Sequence, residues 1–110
     1  MAKEKANSST TVRALIEVSI TPQKDVGFDS IAERIYSYPE VKSCYLLSGG
    51  YDLLVIVEGE SIHTVADFVA AKLSSMANVK QTTTHFLLRK YKEEGQVFKH
   101  SKHEHRPNIS

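Results

Sequence analysis

Apolar and polar residues alternate from Val12 to Ile20, with Val12, Ala14, Ile16, Val18 and Ile20 on one side and Arg13, Glu17 and Ser19 among the others. A period of two marks a strand that buries one face. Thr21-Pro22-Gln-Lys-Asp-Val-Gly27 breaks the pattern. Phe28, Ile31, Ala32 and Ile35 then follow the i, i+3, i+4, i+7 spacing of an amphipathic helix, which Pro39 stops. Val41 to Leu47 and Tyr51 to Glu58 read as two strands. Ser48-Gly49-Gly50 joins them as a hairpin link, because glycine reaches positive φ without a Cβ clash. Ser61 is placed to cap a second helix, along which Ile62, Val65, Ala66, Val69, Leu73 and Met76 form one stripe. A long strand from Val79 to about Lys92 completes the pattern.

The order β-α-β-β-α-β is the split βαβ, or ferredoxin-like, plan of the α+β class, an antiparallel sheet with both helices on one face. Its usual strand order puts the first and third strands in the centre. Lys42 and Ser43 in the second strand, and Gln81 with three threonines in the fourth, suit the edges. The third strand is apolar on both sides: Tyr51, Leu53, Val55 and Val57 point one way, Leu54 and Ile56 the other. Such a strand needs cover on both faces. The helices supply one cover, and the open face has none within the chain. A second copy packed sheet to sheet is therefore expected, favoured at ~25 cal/mol per Å² of apolar burial.

Composition narrows the function classes. A net charge of +1 over 110 residues gives no basic face of the kind that a large nucleic-acid footprint needs. The charged start and Asn7-Ser-Ser-Thr-Thr11 carry no signal-peptide pattern, and no apolar run approaches the ~20 residues that cross a bilayer. A single cysteine, Cys44, forms no internal disulfide and suits a reducing cytoplasm, as a buried and inert thiol. The expected organisation is a flexible arm over residues 1–11, a domain over 12–95 and a polar tail over 96–110. His100, His103 and His105 lie in that tail without a cysteine or carboxylate framework, so no metal or other cofactor is expected. Lys99, Lys102 and Arg106 read as solvated charges. No Ser-His-Asp or Cys-His arrangement, phosphate loop or paired-carboxylate motif is visible, so a non-enzyme is expected.

The string Leu47-Ser-Gly-Gly-Tyr-Asp-Leu-Leu54 resembles the hairpin of the Lrp/AsnC (feast/famine) effector-binding domain, where Thr-Gly-x-Tyr/Phe-Asp precedes an apolar strand. The resemblance covers roughly residues 12 to 92. It includes the Pro39-Glu40-Val41 lead-in and Thr84-His85-Phe86-Leu87-Leu88-Arg89. It implies a module that binds small effectors, commonly amino acids, where dimers meet, in assemblies that reach octamers. Ser48 stands where threonine is usual and keeps the hydroxyl. Members with a helix-turn-helix carry it before this domain. Only eleven residues precede the first strand here, so a stand-alone form without direct DNA binding is expected, acting through a partner such as a full-length regulator of the family.

Each candidate site residue has two readings. Gly49 and Gly50 either only form the turn or let backbone N–H groups approach a ligand carboxylate. Asp52 either accepts hydrogen bonds from a ligand ammonium or caps its own hairpin; unpaired burial would be costly. Tyr51 packs over a ligand or fills the sheet-to-sheet interface. Thr84 offers its hydroxyl to a ligand, or is a strand residue chosen for β-propensity. Two other functions share this fold order. Asp25-Val26-Gly27-Phe28 is similar to the Asp-x-x-Gly turn of ACT domains, without the usual proline. A dimeric ferredoxin-like monooxygenase would need polar groups in its cleft, for which this chain, lacking tryptophan, offers His85.

Overall fold

Alternation makes Val12–Ile20 strand β1, which buries Ala14, Ile16, Val18 and Ile20 on one face. The structure, a computed structural model, describes residues 11–21 and 27–99. After β1 come helix α1 (Phe28–Tyr36), strands β2 (Val41–Leu46) and β3 (Leu53–Gly59), and helix α2 (Ile62–Phe68), which runs on into a π-helical turn, Val69–Leu73. Strand β4 (Val79–Phe86) and two short strands, β5 (Lys92–Glu93) and β6 (Gln96–Val97), follow. The first four strands form one antiparallel sheet in the order β2-β3-β1-β4. The ferredoxin-like plan is thus realised, with the greasiest strands central and the polar ones at the edges.

Both helices bury their apolar stripes on the same sheet face. Ile31 and Ile35 of α1 are fully buried, with Phe28 and Ala32 packed beside them. Helix α1 ends where Ser37 gives both its N–H (3.2 Å) and its hydroxyl (2.7 Å) to the Glu33 carbonyl, two residues before Pro39. Helix α2 starts at Ser61, whose Oγ accepts the Thr64 N–H at 3.1 Å. Its stripe departs from the expected one: Val65, Val69, Leu73 and Met76 are buried, but Ile62 and Ala66 are exposed and Phe68 is buried instead. The helix is rolled towards Phe68, whose ring meets Tyr38 edge-on at 5.6 Å; a ring buries far more apolar surface than an alanine methyl. The π-turn, in which the Ser74 N–H reaches back to Val69 O at 2.7 Å, then carries Leu73 back onto the core.

Two irregularities set which side chains face where. Between Val41 and Ser43 the β2–β3 register slips, so Lys42 has no partner, Ser43 pairs with Ile56 and Cys44 with Val55. The bulge turns Ser43 to the open face and Cys44 to the core. A second slip, between Ser19 and Ile20, lies against β4. There Asn78, only 6% exposed, gives its Nδ2–H to Thr21 O while Thr21 N–H bonds to Asn78 O. These paired contacts fix the start of β4 to the end of β1.

Strand boundaries differ from the sequence reading at both ends of β3, which runs on to Gly59, and at the ends of β2 and β4. Strand β2 stops at Leu46, and β3 begins at Leu53 and leaves Tyr51 in the connection. Strand β4 ends at Phe86, not near Lys92, because its partner runs out. Phe86 pairs with Ala14, Leu87 N–H takes Arg13 O at 2.8 Å, and β1 begins only one residue earlier. The chain then leaves the sheet and folds into the β5–β6 hairpin, across the expected boundary at 95/96. Its two-residue turn has positive φ at both Glu94 (50°) and Gly95 (82°), as the tight primed turns require.

The open face is not wholly bare, as the sequence reading had it. Leu15, Leu54 and Ile56 lie on it, yet Ile56 is only 8% exposed, because Leu87 and the stretch from Arg89 to Glu93 stand beside it. Ion pairs border the face: Arg13 with Glu58 (2.8 and 2.9 Å) and His85 with Glu17 (2.9 Å).

Candidate ligand-binding hairpin

Strands β2 and β3 pair up to Leu46 and Leu53, and one further bond, Leu47 N–H to Asp52 O at 2.9 Å, closes the base of the connection. Ser48, Gly49 and Gly50 project into solvent beyond it, with Tyr51 half-buried. Gly49 has φ of 128°, a backbone state that L side chains rarely adopt. Gly50 has no such constraint, and a methyl built on it meets nothing within 4 Å. The hairpin link expected at these residues is present.

Asp52 explains how the loop is held. The β1–β3 register ends at Val18 opposite Leu53. Asp52 continues the pairing: its N–H donates to Val18 O at 3.1 Å, and its Oδ2 accepts the Ile20 N–H at 2.8 Å. The carboxylate stands in for the backbone acceptor that β3 no longer provides. A charged acceptor makes this bond stronger than a neutral one. The acid therefore has the partner that its half-burial demands. Among the described residues, the bond to Ile20 uses Oδ2 and leaves Oδ1 as a further acceptor.

Thr84 lies elsewhere. It pairs with Ile16, so it shares the helix-covered face, and β1 separates it from β3 by two strand spacings, about 10 Å. One chain thus brings Ser48, Gly49, Gly50, Tyr51 and Asp52 together and leaves Thr84 apart. Cys44 packs against the core, and burial pushes its thiol pKa up, so it stays protonated at neutral pH. Gly27, of the ACT-like turn, is the N-cap of α1; Asp25 and Val26 lie outside the described residues. So do His100, Lys102, His103, His105 and Arg106, while among the described residues no three His, Cys, Asp or Glu side chains group to hold a metal. No described helix is long and apolar enough to cross a membrane.

Sequence reasoning missed the arm formed by Leu87 to Phe98. With the open face it bounds a cleft of about 560 Å³, lined among others by Arg13, Leu15, Tyr45, Ile56 and Tyr91. The signal was present in Glu94-Gly95, flanked by Tyr91-Lys-Glu and Gln96-Val-Phe.

Comparison with known proteins supports the resemblance. Residues 13–97 match the model of the Lrp/AsnC ligand binding domain. The HTH-type transcriptional regulator YugG of Bacillus subtilis is 52% identical over 94 residues, 86% of this chain and 57% of the relative. The leucine-responsive regulatory protein of Rhizobium meliloti is 30% identical over 84 residues, 76% of this chain and 54% of the relative. The chain therefore spans a little over half the length of these regulators. Among solved structures, the transcriptional regulator NMB0573 of Neisseria meningitidis in complex with L-Met superposes with a TM-score of 0.72 at 28% identity, covering 88% of this chain and 61% of that one. The hairpin string, the element order and the match over residues 13–97 agree, and the chain belongs to the Lrp/AsnC family through its ligand-binding domain.

Proposed function

We propose that this chain is an amino-acid sensor whose Ser48–Asp52 loop receives the effector at a contact between subunits. The observation that carries the reading is the loop itself, a glycine-rich turn exposed to solvent on a base that Asp52 fixes to β1. The backbone N–H groups around Gly49 and Gly50 suit the effector carboxylate, and Asp52 Oδ1 suits its ammonium. Tyr51 covers the effector's side chain. Thr84, remote within its own chain, joins the site from a neighbouring subunit. The complex of the Neisseria relative with L-Met supports an amino acid as the ligand class.

The subunits pair through the open sheet face and assemble further, up to an octamer, in the cytoplasm. Occupancy shifts that assembly only to the extent that the effector binds one state better than another. The signal passes to transcription through a partner, a full-length Lrp/AsnC regulator sharing the same sheet surface, without direct DNA contact by this domain. Co-expression with such a regulator is expected to give mixed oligomers; purely homomeric assembly would remove the partner step.

A thermal-shift screen against the twenty amino acids and a set of 2-oxo acids tests the binding step. A ligand at 100 times its dissociation constant stabilises the native state by about 2.7 kcal/mol. Gly50→Val should abolish the shift without loss of fold, since a Cβ at Gly50 meets nothing within 4 Å; Gly27→Val, equally unobstructed, should retain it. A shift lost with Gly27→Val and kept with Gly50→Val would move the ligand to the ACT-like turn. No shift with any compound would leave the hairpin an architectural role alone.

A further inference from the structure

The strand registers arrange the open face in rows. Ser43, Ile56, Leu15 and His85 stand side by side from β2 to β4, and Tyr45, Leu54, Glu17 and Thr83 form the next row. The β2–β3 half of this surface is mainly apolar. On the β4 side one ion pair spans the two rows, with His85 Nε2 at 2.9 Å from Glu17 Oε2 and the side chains 55% and 34% exposed. A carboxylate only accepts hydrogen bonds, so the neutral imidazole carries its proton on Nε2 and leaves Nδ1 free to take a second. Histidine changes charge between about pH 5 and 8. Above that range it still donates to Glu17 but brings no countercharge. On a solvated face this costs little. Once the face is covered, a carboxylate without a cation is expensive. Few other charges face the pair. Arg13 of β1, in the row beyond, is bonded to Glu58 of β3, and the open-face neighbours on β4, Thr83 and Gln81, are uncharged. Tyr45 lies on the far strand, and Arg89, Lys90, Lys92 and Glu93 line a cleft in which His85 takes no part.

We propose that His85 and Glu17 link association of this chain to protons: closing the open face draws a proton from water onto His85 Nδ1, so that copies pair more tightly as the solution becomes more acidic. The imidazolium then supplies the cation that the covered Glu17 carboxylate needs. Twofold symmetry puts one such pair on each copy, for an uptake approaching about two protons per dimer. The sign follows from linkage: the state that binds more protons gains as pH falls, and the gain levels off once both states are protonated. The inference rests on the open-face pairing proposed above and adds to it a control by acidity, exerted at a place apart from the effector loop.

Sedimentation equilibrium of the full chain from about pH 8 to about pH 6, at constant ionic strength, tests it. A fixed concentration of urea is added where dilution alone does not dissociate the parent. The association constant should rise at least about tenfold over that interval. His85→Gln keeps a donor for Glu17 without a titrating group and should flatten the profile. Glu17→Gln removes the charge that demands the proton. It should flatten the profile too and associate more tightly than the parent at pH 8, a gain that a merely structural role for the pair would not produce. His63→Gln, at an exposed position on the helix layer, should keep the parent's slope. Association that is equal across the interval, or a slope that survives His85→Gln, overturns the proton link and leaves face pairing standing. A parent that is monomeric throughout, or Leu54→Asp on the apolar half of the face associating as the parent does, overturns face pairing and the link together.

Discussion

Two hairpins leave the same sheet, and they are held in opposite ways. The loop over residues 47–52 is short and pinned: Leu47 N–H to Asp52 O closes its base, and Asp52 N–H to Val18 O and the Asp52 carboxylate to Ile20 N–H tie it to β1, where Val18 and Ile20 are buried. The arm over residues 87–98 continues from β4 through Leu87 N–H to Arg13 O, and carries Leu88 and Val97 outward. The first spends a charged side chain on rigidity and leaves its tip polar and free, the property that a ligand site needs. The second keeps its own closure and leaves Leu88 and Val97 exposed.

Breaking the pin should have the largest effect. Asp52→Ala leaves the Ile20 N–H without its acceptor and should cost about 1–3 kcal/mol in urea-monitored unfolding. Asp52→Asn keeps an oxygen in reach of Ile20 and should lose much less stability. If the effector reading holds, Asp52→Asn still weakens amino-acid binding, since the negative charge that meets the ammonium is gone. Equal stability loss in the two variants would mean that the Ile20 bond matters little. Next in size is Gly49→Ala, which forces a Cβ into a φ of 128° and should cost on the order of 1–3 kcal/mol by the same assay, whereas Gly50→Ala should cost a few tenths. The reverse order would show that the turn rearranges when substituted.

The contrast also explains what could be read from sequence. Strands β1 and β3 are legible because they are central, and central strands must be apolar; the Gly-Gly link is legible because few residues accept its geometry. The loop cluster Ser48–Asp52 follows directly from that. Thr84 does not. Its distance from the loop is set by strand order, which inserts β1 between them, and no local pattern records it. The stripe of α2 was misread at Ile62 and Ala66 because spacing cannot tell which side of a wide apolar sector turns inwards, a choice made by the Phe68–Tyr38 contact. Ser43 and Cys44 exchange faces through a bulge that alternation alone does not reveal. The arm was read as the end of a long strand and the start of a tail, because Glu94 is a poor residue for positive φ and masks a two-residue turn.

That poor residue gives a way to sharpen the arm side. Glu94→Asn places a residue at φ of 50° that tolerates it, and should stabilise the β5–β6 hairpin by a few tenths of a kcal/mol. Slower exchange of the Phe98 amide, which closes the hairpin, would report it. Faster exchange would mean that Glu94 holds the turn by a contact other than its backbone.

The smallest effect expected is one of pH, and it is confined to the arm. The hydrogen bond from Lys90 holds the Glu93 carboxyl below the ordinary glutamate value of 4.5, against an opposing effect of desolvation and with help from the charges of Lys90 and Arg13. A carboxylate with a depressed pKa in the folded arm adds stability that is fully present above that ordinary value and is lost as pH falls through the lower, folded one. Glu93 is well exposed, so solvent screens the pair and the fold as a whole should not respond. The expected record is local: a carboxyl titration by NMR with its midpoint under 4.5, moved upwards by Lys90→Gln, and a loosening of the hairpin across the same interval. A midpoint unmoved by Lys90→Gln would assign the depression to Arg13, which stands across the cleft on β1.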